Sequence, residues 1–298
     1  MLAFIVLLSQ LLSACICHSW VEQVRLISAH SGEYFGQPGY MRGYVPRTPS
    51  FRDDFNQNLL PRTSGRTRLE LTDPICRSSQ KEANYTTAFP KLVASPGDFI
   101  ALRYLENGHV TLPHIQIGKP GSGGTILVYA TTRPAVDETI GEVLSWSSNT
   151  SRDSRGRLLT VQNFDDGRCY QINNSPLQLA RAEEVPNVPP GAAPGAPNEE
   201  LWCETNVQIP VEVRGDITVY WVWEWSTLPA RDLGLPEGKA EWYTSCLDIT
   251  VIDPVQASLT SKTFPSLLVQ DPHANAVTNF KERAANTTVP EGPPDLWI

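Results

Sequence analysis

Short apolar runs separated by turn residues recur along most of the chain. The clearest run spans residues 217–226, reads Ile-Thr-Val-Tyr-Trp-Val-Trp-Glu-Trp-Ser, and has the β-branched and aromatic content of a strand. Side chains alternate across a strand, so one side of this run carries Val219, Trp221, Trp223 and Trp225, and the other carries Tyr220, Val222 and Glu224. Further strands are predicted at residues 20–27, 99–104, 126–129, 158–161, 169–172 and 241–252.

The turn signals between these strands, and the lack of a long amphipathic helical pattern, predict a mainly β fold. We expect an antiparallel β-sandwich of the immunoglobulin or fibronectin type with long loops. Residues 34–54 are broken by Gly and Pro and are predicted to form a long surface loop. Residues 118–125 are rich in glycine but lack the Gly-Lys-Ser/Thr ending of a phosphate loop, so they are interpreted as a hairpin loop.

The first 17 residues have the pattern of a secretory signal peptide. They contain no charged side chain, and the apolar run at residues 4–12 is too short for a bilayer span. Cleavage before His18 would make this histidine the first residue of a secreted, extracellular chain. We then expect a sandwich domain over residues 18–254 and a polar, Pro-rich, loosely packed tail over residues 255–298.

Composition agrees with a secreted protein and restricts its partners. The formal net charge of -8 argues against nucleic acid or an anionic membrane as the main partner, and no later stretch is apolar enough to span a membrane.

Four cysteines remain after cleavage, which suits two disulfides with three conceivable pairings: Cys76, Cys169, Cys203 and Cys246. The Pro-rich stretch 186–197 is a linker, or an internal loop if Cys169 pairs with Cys203. Sequons for N-glycosylation begin at Asn84, Asn149, Asn173 and Asn286.

Two of the five histidines stand out as metal ligands. As a first residue, His18 would offer its α-amine as well as a ring nitrogen, and His109 directly follows the turn dipeptide Asn107-Gly108. Three nitrogens from two histidines form a T-shaped set, which suits Cu(II) better than zinc. The remaining histidines are interpreted as surface residues: His30, His114 and His273.

Three segments resemble the signature segments of lytic polysaccharide monooxygenases. They are His-Ser-Trp from residue 18, Glu-Asn-Gly-His-Val-Thr from residue 106, and Glu-Trp-Tyr-Thr-Ser-Cys from residue 241. The resemblance implies one copper ion, Cu(II) or Cu(I), held by His18 and His109 in a histidine brace with Tyr243 at the axial position. Glu241 lies two residues before Tyr243 and so on the same side of the strand, where the resemblance makes it the group that orients bound oxygen.

The same resemblance implies further features of the chain. Cys76 would pair with Cys246 and leave Cys169 with Cys203. The substrate face would be a flat rim around His18, built from aromatic residues such as Tyr34, Phe35 and Tyr40. The chain lacks a clear equivalent of the additional histidine that some members keep near the copper. The central tryptophans are interpreted as packing residues, with a lesser role as carriers of oxidising equivalents.

The resemblance predicts a secreted copper-dependent monooxygenase that cleaves polysaccharide by hydroxylation at C1 or C4. It would work as a monomer on an insoluble glycan such as chitin or cellulose, with an external electron donor. The alternative is a copper-binding or copper-delivery protein of the cell surface, which keeps the brace without the oxygenase activity. A carbohydrate-binding or structural sandwich without metal is the third reading, and it requires a mature chain that does not begin at His18.

Overall fold

Two β-sheets face each other in the computed structural model, which describes residues 18–62, 65–148, 155–189, 191–253 and 271–289. The first sheet has the strand order β2-β1-β5-β8, and the second has the order β3-β10-β9-β6-β7. All these pairings are antiparallel, and β4 adds a parallel pairing to the far end of β10. The predicted mainly β sandwich is confirmed. The strands are β1 (Gln23–Ile27), β2 (Tyr34–Gly39), β3 (Leu59–Leu60), β4 (Leu92–Ala94), β5 (Phe99–Tyr104), β6 (Thr125–Thr131), β7 (Gly156–Asn163), β8 (Cys203–Gln208), β9 (Gly215–Glu224) and β10 (Trp242–Val251).

Strand β9 is apolar on both faces because both faces of the second sheet are covered. Trp221 and Trp223 point into the core between the sheets, as the alternating pattern predicts. Tyr220 and Val222 belong to a separate cluster on the outer face, where helix α1 (Ile140–Leu144) and the chain before Cys76 cover them. A strand that is buried on both faces has a nearly continuous apolar sequence, which residues 217–225 show.

The helices of the described residues are short; two lie in connections between strands, and the third follows the last strand, β10. They are α1 (Ile140–Leu144), α2 (Pro176–Glu184) and α3 (Phe280–Ala285), with 3₁₀ turns at Asp53–Phe55, Ser78–Gln80, Pro113–Ile115 and Gly121–Gly123. Thr139 and Glu142 form a capping box at the start of α1, and the Ser175 side chain caps α2. Among the described residues, no helix is long and apolar enough to cross a membrane.

Two connections differ from the sequence-based expectation. Residues 34–39, predicted as loop, form edge strand β2, where Pro38 is tolerated because one side of an edge strand needs no hydrogen bonds. The glycine-rich stretch 118–125 is not a hairpin loop, because the preceding strand β5 and the following strand β6 lie in different sheets. Of the predicted strand at residues 169–172, only an isolated bridge between Tyr170 and Leu201 forms.

Both predicted disulfides are present. Cys76 is bonded to Cys246 across 170 residues of sequence, and Cys169 is bonded to Cys203. The second bond makes the Pro-rich stretch 186–197 an internal loop rather than a linker between domains.

Residues 271–289 pack on the first sheet, so the loose packing expected beyond Pro254 is wrong for this segment. The side chain of Asp271 is buried in an ion pair with Arg103 of β5. Phe280 packs edge to face on Phe99, with 5.3 Å between ring centroids. The rest of the predicted tail, residues 255–270 and 290–298, lies outside the described residues, as does the predicted signal peptide.

Candidate metal centre

The segment that begins at His18 runs across one end of the sandwich before it enters β1. The Ser19 hydroxyl donates to the Leu105 carbonyl at 2.9 Å, and the Val21 amide donates to the Ser245 hydroxyl of β10 at 3.1 Å. Trp20 and Val21 are buried. These contacts place His18 beside the end of β5, where the chain turns towards His109.

A tight turn of residues 106–109 carries His109 into the same place. The His109 amide donates to the Glu106 carbonyl at 2.9 Å, and Asn107 and Gly108 have positive φ values of 48° and 82°. Two positive φ values in succession are typical of a type I′ turn, which the Asn-Gly dipeptide favours. The Asn107 side-chain amide donates to the His18 carbonyl at 2.6 Å, so the turn is tied directly to the predicted first residue.

The buried carboxylate of Glu106 stabilises this turn by accepting hydrogen bonds. It accepts hydrogen bonds from the Val110 amide at 2.8 Å, from the Gln171 amide at 2.8 Å and from the Thr111 hydroxyl. Hydrogen bonds to a carboxylate are stronger than those between neutral groups. Glu106 therefore acts as a structural anchor for the turn that presents His109.

The His109 ring is enclosed by aromatic side chains. Its centroid lies 4.3 Å from that of Trp225, 4.9 Å from that of Trp223 and 5.8 Å from that of Phe164, each in a roughly edge-to-face arrangement. The residue is 3% exposed, and within the described parts of the chain neither ring nitrogen has a hydrogen-bond partner. His109 is thus a buried polar group with its donor and acceptor capacity unused.

This environment keeps the His109 ring neutral. Burial lowers its pKa to about 3, and the charges of His18 and Lys119 act in the same direction. The His18 backbone opposes this shift without reaching hydrogen-bond geometry. Metals bind the neutral imidazole, so a ring held in this form has a lone pair available for a metal ion.

Tyr243 and Glu241 approach the centre from the start of β10. The Tyr243 ring is 1% exposed and stacks on Trp223 with 4.8 Å between centroids. It belongs to the inner core, whereas Trp242 belongs to the outer cluster. The expected alternation along this strand is therefore observed.

Glu241 is bound by a lysine that the sequence did not indicate. Lys119 forms an ion pair with the Glu241 carboxylate, and its ammonium group also donates to the Trp225 carbonyl at 2.9 Å and lies 4.1 Å from the centre of the Trp225 ring. The two side chains are only 10% and 13% exposed. The site therefore contains a shielded acid and base pair next to the ring that packs on His109.

The glycine-rich loop explains how Lys119 reaches this position. A Cβ atom on Gly124 would lie 2.3 Å from the Glu224 carbonyl oxygen, and one on Gly123 would lie 2.8 Å from the Phe164 ring. The Gly123 carbonyl also accepts from the Trp223 indole at 2.7 Å. The glycines thus allow the backbone to pack directly on the aromatic residues around His109.

The other ring of the pair, His18, has a partner that sequence reasoning also missed. Its Nε2 lies 3.0 Å from a carboxylate oxygen of Asp53, and its ring stacks on Trp20 with 5.8 Å between centroids. Asp53 falls within the stretch that was predicted only as surface loop. Neither Asp53 nor Lys119 belongs to a recognisable motif, so only the fold brings them to the histidines.

The residues proposed for a flat aromatic rim do not surround His18. Tyr34 and Phe35 pair with the far end of β1, at Ile27 and Leu26, while His18 precedes its near end. Tyr40 is buried and packs on Tyr44 and Phe89. The stacking surface expected from these residues is therefore wrong, because Tyr34 and Phe35 lie at the far end of the first sheet and Tyr40 is buried.

Comparison with protein families identifies the chain at the level of sequence. A family model described as a domain of unknown function, DUF7492, matches residues 15–279. The chain belongs to the DUF7492 family. A search of curated proteins found no match.

Two solved structures resemble the DUF7492 chain in fold. One is titled CvAA9A, with 12% identity, 79% of each chain covered and a TM-score of 0.36. The other is titled "Structure of cellulose active LPMO CelS2 (ScLPMO10C) in complex with Copper", with 14% identity, 56% of each chain covered and a TM-score of 0.25. At these identities only the folds are compared, so the site has to be judged on its own residues.

The DUF7492 donor set fits a copper ion. His18 and His109 are the histidines that the fold brings together, and the buried nitrogens of His109 have no other use in the described structure. His30 and His114 are exposed, and His273, which lies in the C-terminal segment, contacts Arg168. Neutral imidazole is a good ligand for copper.

The predicted glycosylation sites of the DUF7492 chain differ in accessibility. Asn84 is exposed, whereas the amide nitrogens of Asn173 and Asn286 donate to the Thr111 hydroxyl at 2.6 Å and to the Val161 carbonyl at 2.8 Å. Asn149 lies outside the described residues. Because a glycan is attached to this nitrogen, Asn84 is the described site that needs the least rearrangement.

Proposed function

We propose that the chain, processed to begin at His18, binds one copper ion and oxidatively cleaves polysaccharide outside the cell. The observation that carries this proposal is the meeting of His18 and His109, tied together by Asn107, with both His109 ring nitrogens buried and without a hydrogen-bond partner among the described residues. Leaving such groups unsatisfied costs about 1–3 kcal/mol in a folded protein. This loss of stability is explained if the His109 ring binds a metal ion.

His18 would supply its α-amine and one ring nitrogen, and His109 would supply a second ring nitrogen. A copper ion bound to them would provide one-electron chemistry and oxygen activation for hydroxylation at C1 or C4 of a sugar. The aromatic residues around His109 exclude water from its ring and fix its plane. Tyr243 is held on the inner side of the site by its stacking on Trp223.

The Lys119 and Glu241 pair would handle charge and protons at this site. The ammonium group of Lys119 is held by the Trp225 carbonyl, the Trp225 ring and the Glu241 carboxylate. A lysine so placed offers a proton donor close to His109, and its ion pair with Glu241 balances its charge. This proton-handling role differs from the one that the resemblance implies, in which Glu241 alone orients oxygen.

A second function, copper binding or delivery without oxidation, is favoured by the same ion pair. If Lys119 holds Glu241 permanently, the carboxylate is not available to orient oxygen. The large apolar side chains exposed shortly after His109 in sequence are also aliphatic, Ile115 and Ile117. Aromatic rings would be the better surface for stacking on sugars.

One set of measurements separates these functions. The secreted chain is purified, its first residue is established by mass spectrometry, copper is titrated and the paramagnetic resonance spectrum is recorded. The copper-loaded protein is then incubated with chitin, cellulose and hemicellulose and a reductant, and oxidised oligosaccharides are sought, with His109→Ala as the control. Tight copper binding without product from any glycan would favour delivery, and a mature chain beginning elsewhere than His18 would overturn both.

A further inference from the structure

We infer that Asp53 is a positioning residue that selects which ring nitrogen of His18 binds the metal. Its carboxylate accepts the proton of Nε2 and leaves the lone pair on Nδ1. This inference rests on the proposed copper function, but its first consequence concerns the metal-free protein. Asp53 has no role in the resemblance described above, and its position is known only from the fold.

The contact itself has the geometry of a hydrogen bond. The His18 Nε2 and the Asp53 Oδ2 lie 3.0 Å apart, with the side chains 18% and 34% exposed. The ring also stacks on Trp20 with an interplanar angle of 20°. The carboxylate fixes one ring nitrogen and Trp20 fixes the plane, so the ring has little freedom to rotate.

The choice of nitrogen matters because of the chelate that His18 must form. An α-amine and the ring of the same histidine can close a small chelate ring only through Nδ1, because Nε2 lies on the far side of the imidazole. A neutral imidazole carries its proton on one nitrogen and its lone pair on the other. A carboxylate at Nε2 therefore favours the tautomer that can chelate. Carboxylates on the non-binding nitrogen of metal-bound histidines act in this general way.

The loop that carries Asp53 is built to hold this position. Its ends are joined by the fully buried Asn56, whose side chain accepts from the Val45 amide at 2.9 Å and donates to the Val45 carbonyl at 2.8 Å. Asp53 then begins a 3₁₀ turn, in which its carbonyl accepts from the Gln57 amide at 2.8 Å. The carboxylate is thus presented by an ordered turn.

A second connection links this loop to the segment that His18 begins. The guanidinium of Arg47 lies 3.9 Å from Asp53, donates to the buried Glu22 carboxylate at 2.8 Å, and stacks over Trp20 at 4.6 Å. Trp20 is the same ring on which His18 stacks. The loop and the first residues therefore form one packed unit, which holds the Asp53 carboxylate beside the ring that it orients.

The test compares Asp53→Ala with Asp54→Ala in the secreted chain that begins at His18. Asp54 is a matched control, because it lies in the same 3₁₀ turn but is paired with the exposed Arg52. Nitrogen-15 NMR of the metal-free protein, at a pH where the ring is neutral, should show the His18 proton on Nε2 in the wild type and in Asp54→Ala. Asp53→Ala should show a mixture of the two tautomers.

Copper titration provides the second readout. We expect Asp53→Ala to bind Cu(II) about 10–100-fold more weakly, the usual loss for partners of metal ligands, with the same nitrogen ligands in its resonance spectrum. Asp54→Ala should bind as the wild type does. The inference would be overturned if Asp53→Ala kept the wild-type tautomer or the wild-type copper affinity. It would also be overturned if the His18 proton of the wild-type protein were found on Nδ1.

Two further outcomes separate this inference from the proposed function. If the wild type binds no copper but shows the Asp53-dependent tautomer, the proposed function and the chelate fail while the contact between His18 and Asp53 is real. If Asp53→Ala loses an oxygen ligand from its copper spectrum, Asp53 is itself a ligand and the positioning role is wrong. Melting temperatures of both variants check that the loop remains folded.

Discussion

At the scale of single residues, His109 is a case where stability and function conflict. A polar ring lies among tryptophans at 3% exposure, without hydrogen bonds among the described residues. The fold does not need this polarity, since an aliphatic side chain of similar volume would suit the same surroundings. His109 is therefore the residue at which a binding role is easiest to separate from a structural one.

We predict that His109→Leu abolishes tight copper binding and leaves the metal-free protein as stable as the wild type, or more stable by about 1 kcal/mol. The reason is that the variant removes an unsatisfied buried group and nearly preserves the volume. Chemical denaturation without metal and copper titration are the measurements. The control is His114→Leu, because His114 is exposed on the following 3₁₀ turn. A loss of more than about 2 kcal/mol in His109→Leu would show that the imidazole supports the fold.

The Lys119 and Glu241 ion pair should be energetically coupled. We expect a double-mutant cycle of Lys119→Met and Glu241→Gln to give a coupling of about 0.5–3 kcal/mol, because both side chains are shielded from water. Lys239 lies 3.5 Å from the same carboxylate but is 37% exposed. Its coupling to Glu241 should be below about 1 kcal/mol, as for surface pairs. Equal couplings for both lysines would contradict the assigned difference in shielding.

At the scale of elements, the turn of residues 106–109 joins the two halves of the site. The Asn107-Gly108 dipeptide sets the backbone, and the Asn107 side chain contacts the His18 carbonyl. The sequence indicated the turn because its dihedral angles depend on local residues. It could not indicate the contact, which joins atoms 89 residues apart.

We predict that Asn107→Gly weakens copper binding without unfolding the protein. Glycine accepts the positive φ of this position, so the turn should survive, but the tie to His18 is lost. Asn174→Gly is the matched control, because Asn174 also has a positive φ, at 60°, and is exposed. Copper titration and melting temperature should show lower affinity only for Asn107→Gly. Unchanged affinity would mean that the two histidines are held together by other contacts.

At the scale of the whole molecule, the segment 271–289 closes the outer side of the first sheet. Asp271 accepts from Arg103, from the Asn187 side chain at 2.7 Å and from the Trp202 amide at 2.9 Å. The DUF7492 match extends to residue 279 and so includes the first nine residues of this segment. The segment belongs physically to the sandwich.

We predict that Asp271→Ala lowers the free energy of unfolding by about 3–5 kcal/mol, because it leaves the charge of Arg103 buried without its partner. Arg103 is 1% exposed and Asp271 is 0% exposed in this pair. The Arg214 and Asp253 pair is a control, since its side chains are 51% and 62% exposed. Asp253→Ala should change stability by less than about 1 kcal/mol. Denaturant unfolding of both variants measures the difference.

The same segment should make stability sensitive to acid. Burial lowers the pKa of His273, and the positive charges of Arg168 and Arg103 add to this effect, while Asp271 and the Asn275 backbone oppose it. A lowered pKa means that the unfolded chain binds the proton first as pH falls below about 6.5, so stability decreases there. The slope should stay below about 1.4 kcal/mol per pH unit, because His273 takes up at most one proton. The free energy of unfolding, measured across this pH range, should change less with pH in His273→Gln than in the wild type. The same pH profile in both proteins would refute the prediction.

Several features could be predicted from the sequence because they depend on neighbouring residues. The alternation of residues 217–226, the Asn107-Gly108 turn and the strands around Ile100 and Val128 follow from local preferences and burial patterns. The disulfide pairing and the grouping of His18, His109 and Tyr243 came from the resemblance of short segments. The structure contains both disulfides and brings these three residues to one end of the sandwich.

Only the tertiary structure decided the contacts between residues that are distant in sequence, because the sequence around each of these residues gives no sign of its partner. Asp53 lies in a stretch read as loop, Lys119 in a glycine-rich run, and Asp271 in a segment expected to be loose, yet each forms an ion pair across the fold. The edge strand β2 has the same origin, since its Gly and Pro residues argue for a loop until β1 provides hydrogen-bond partners. Local preference determines which strands and turns form, whereas the charges that meet at a site depend on which loops the packed sheets bring together.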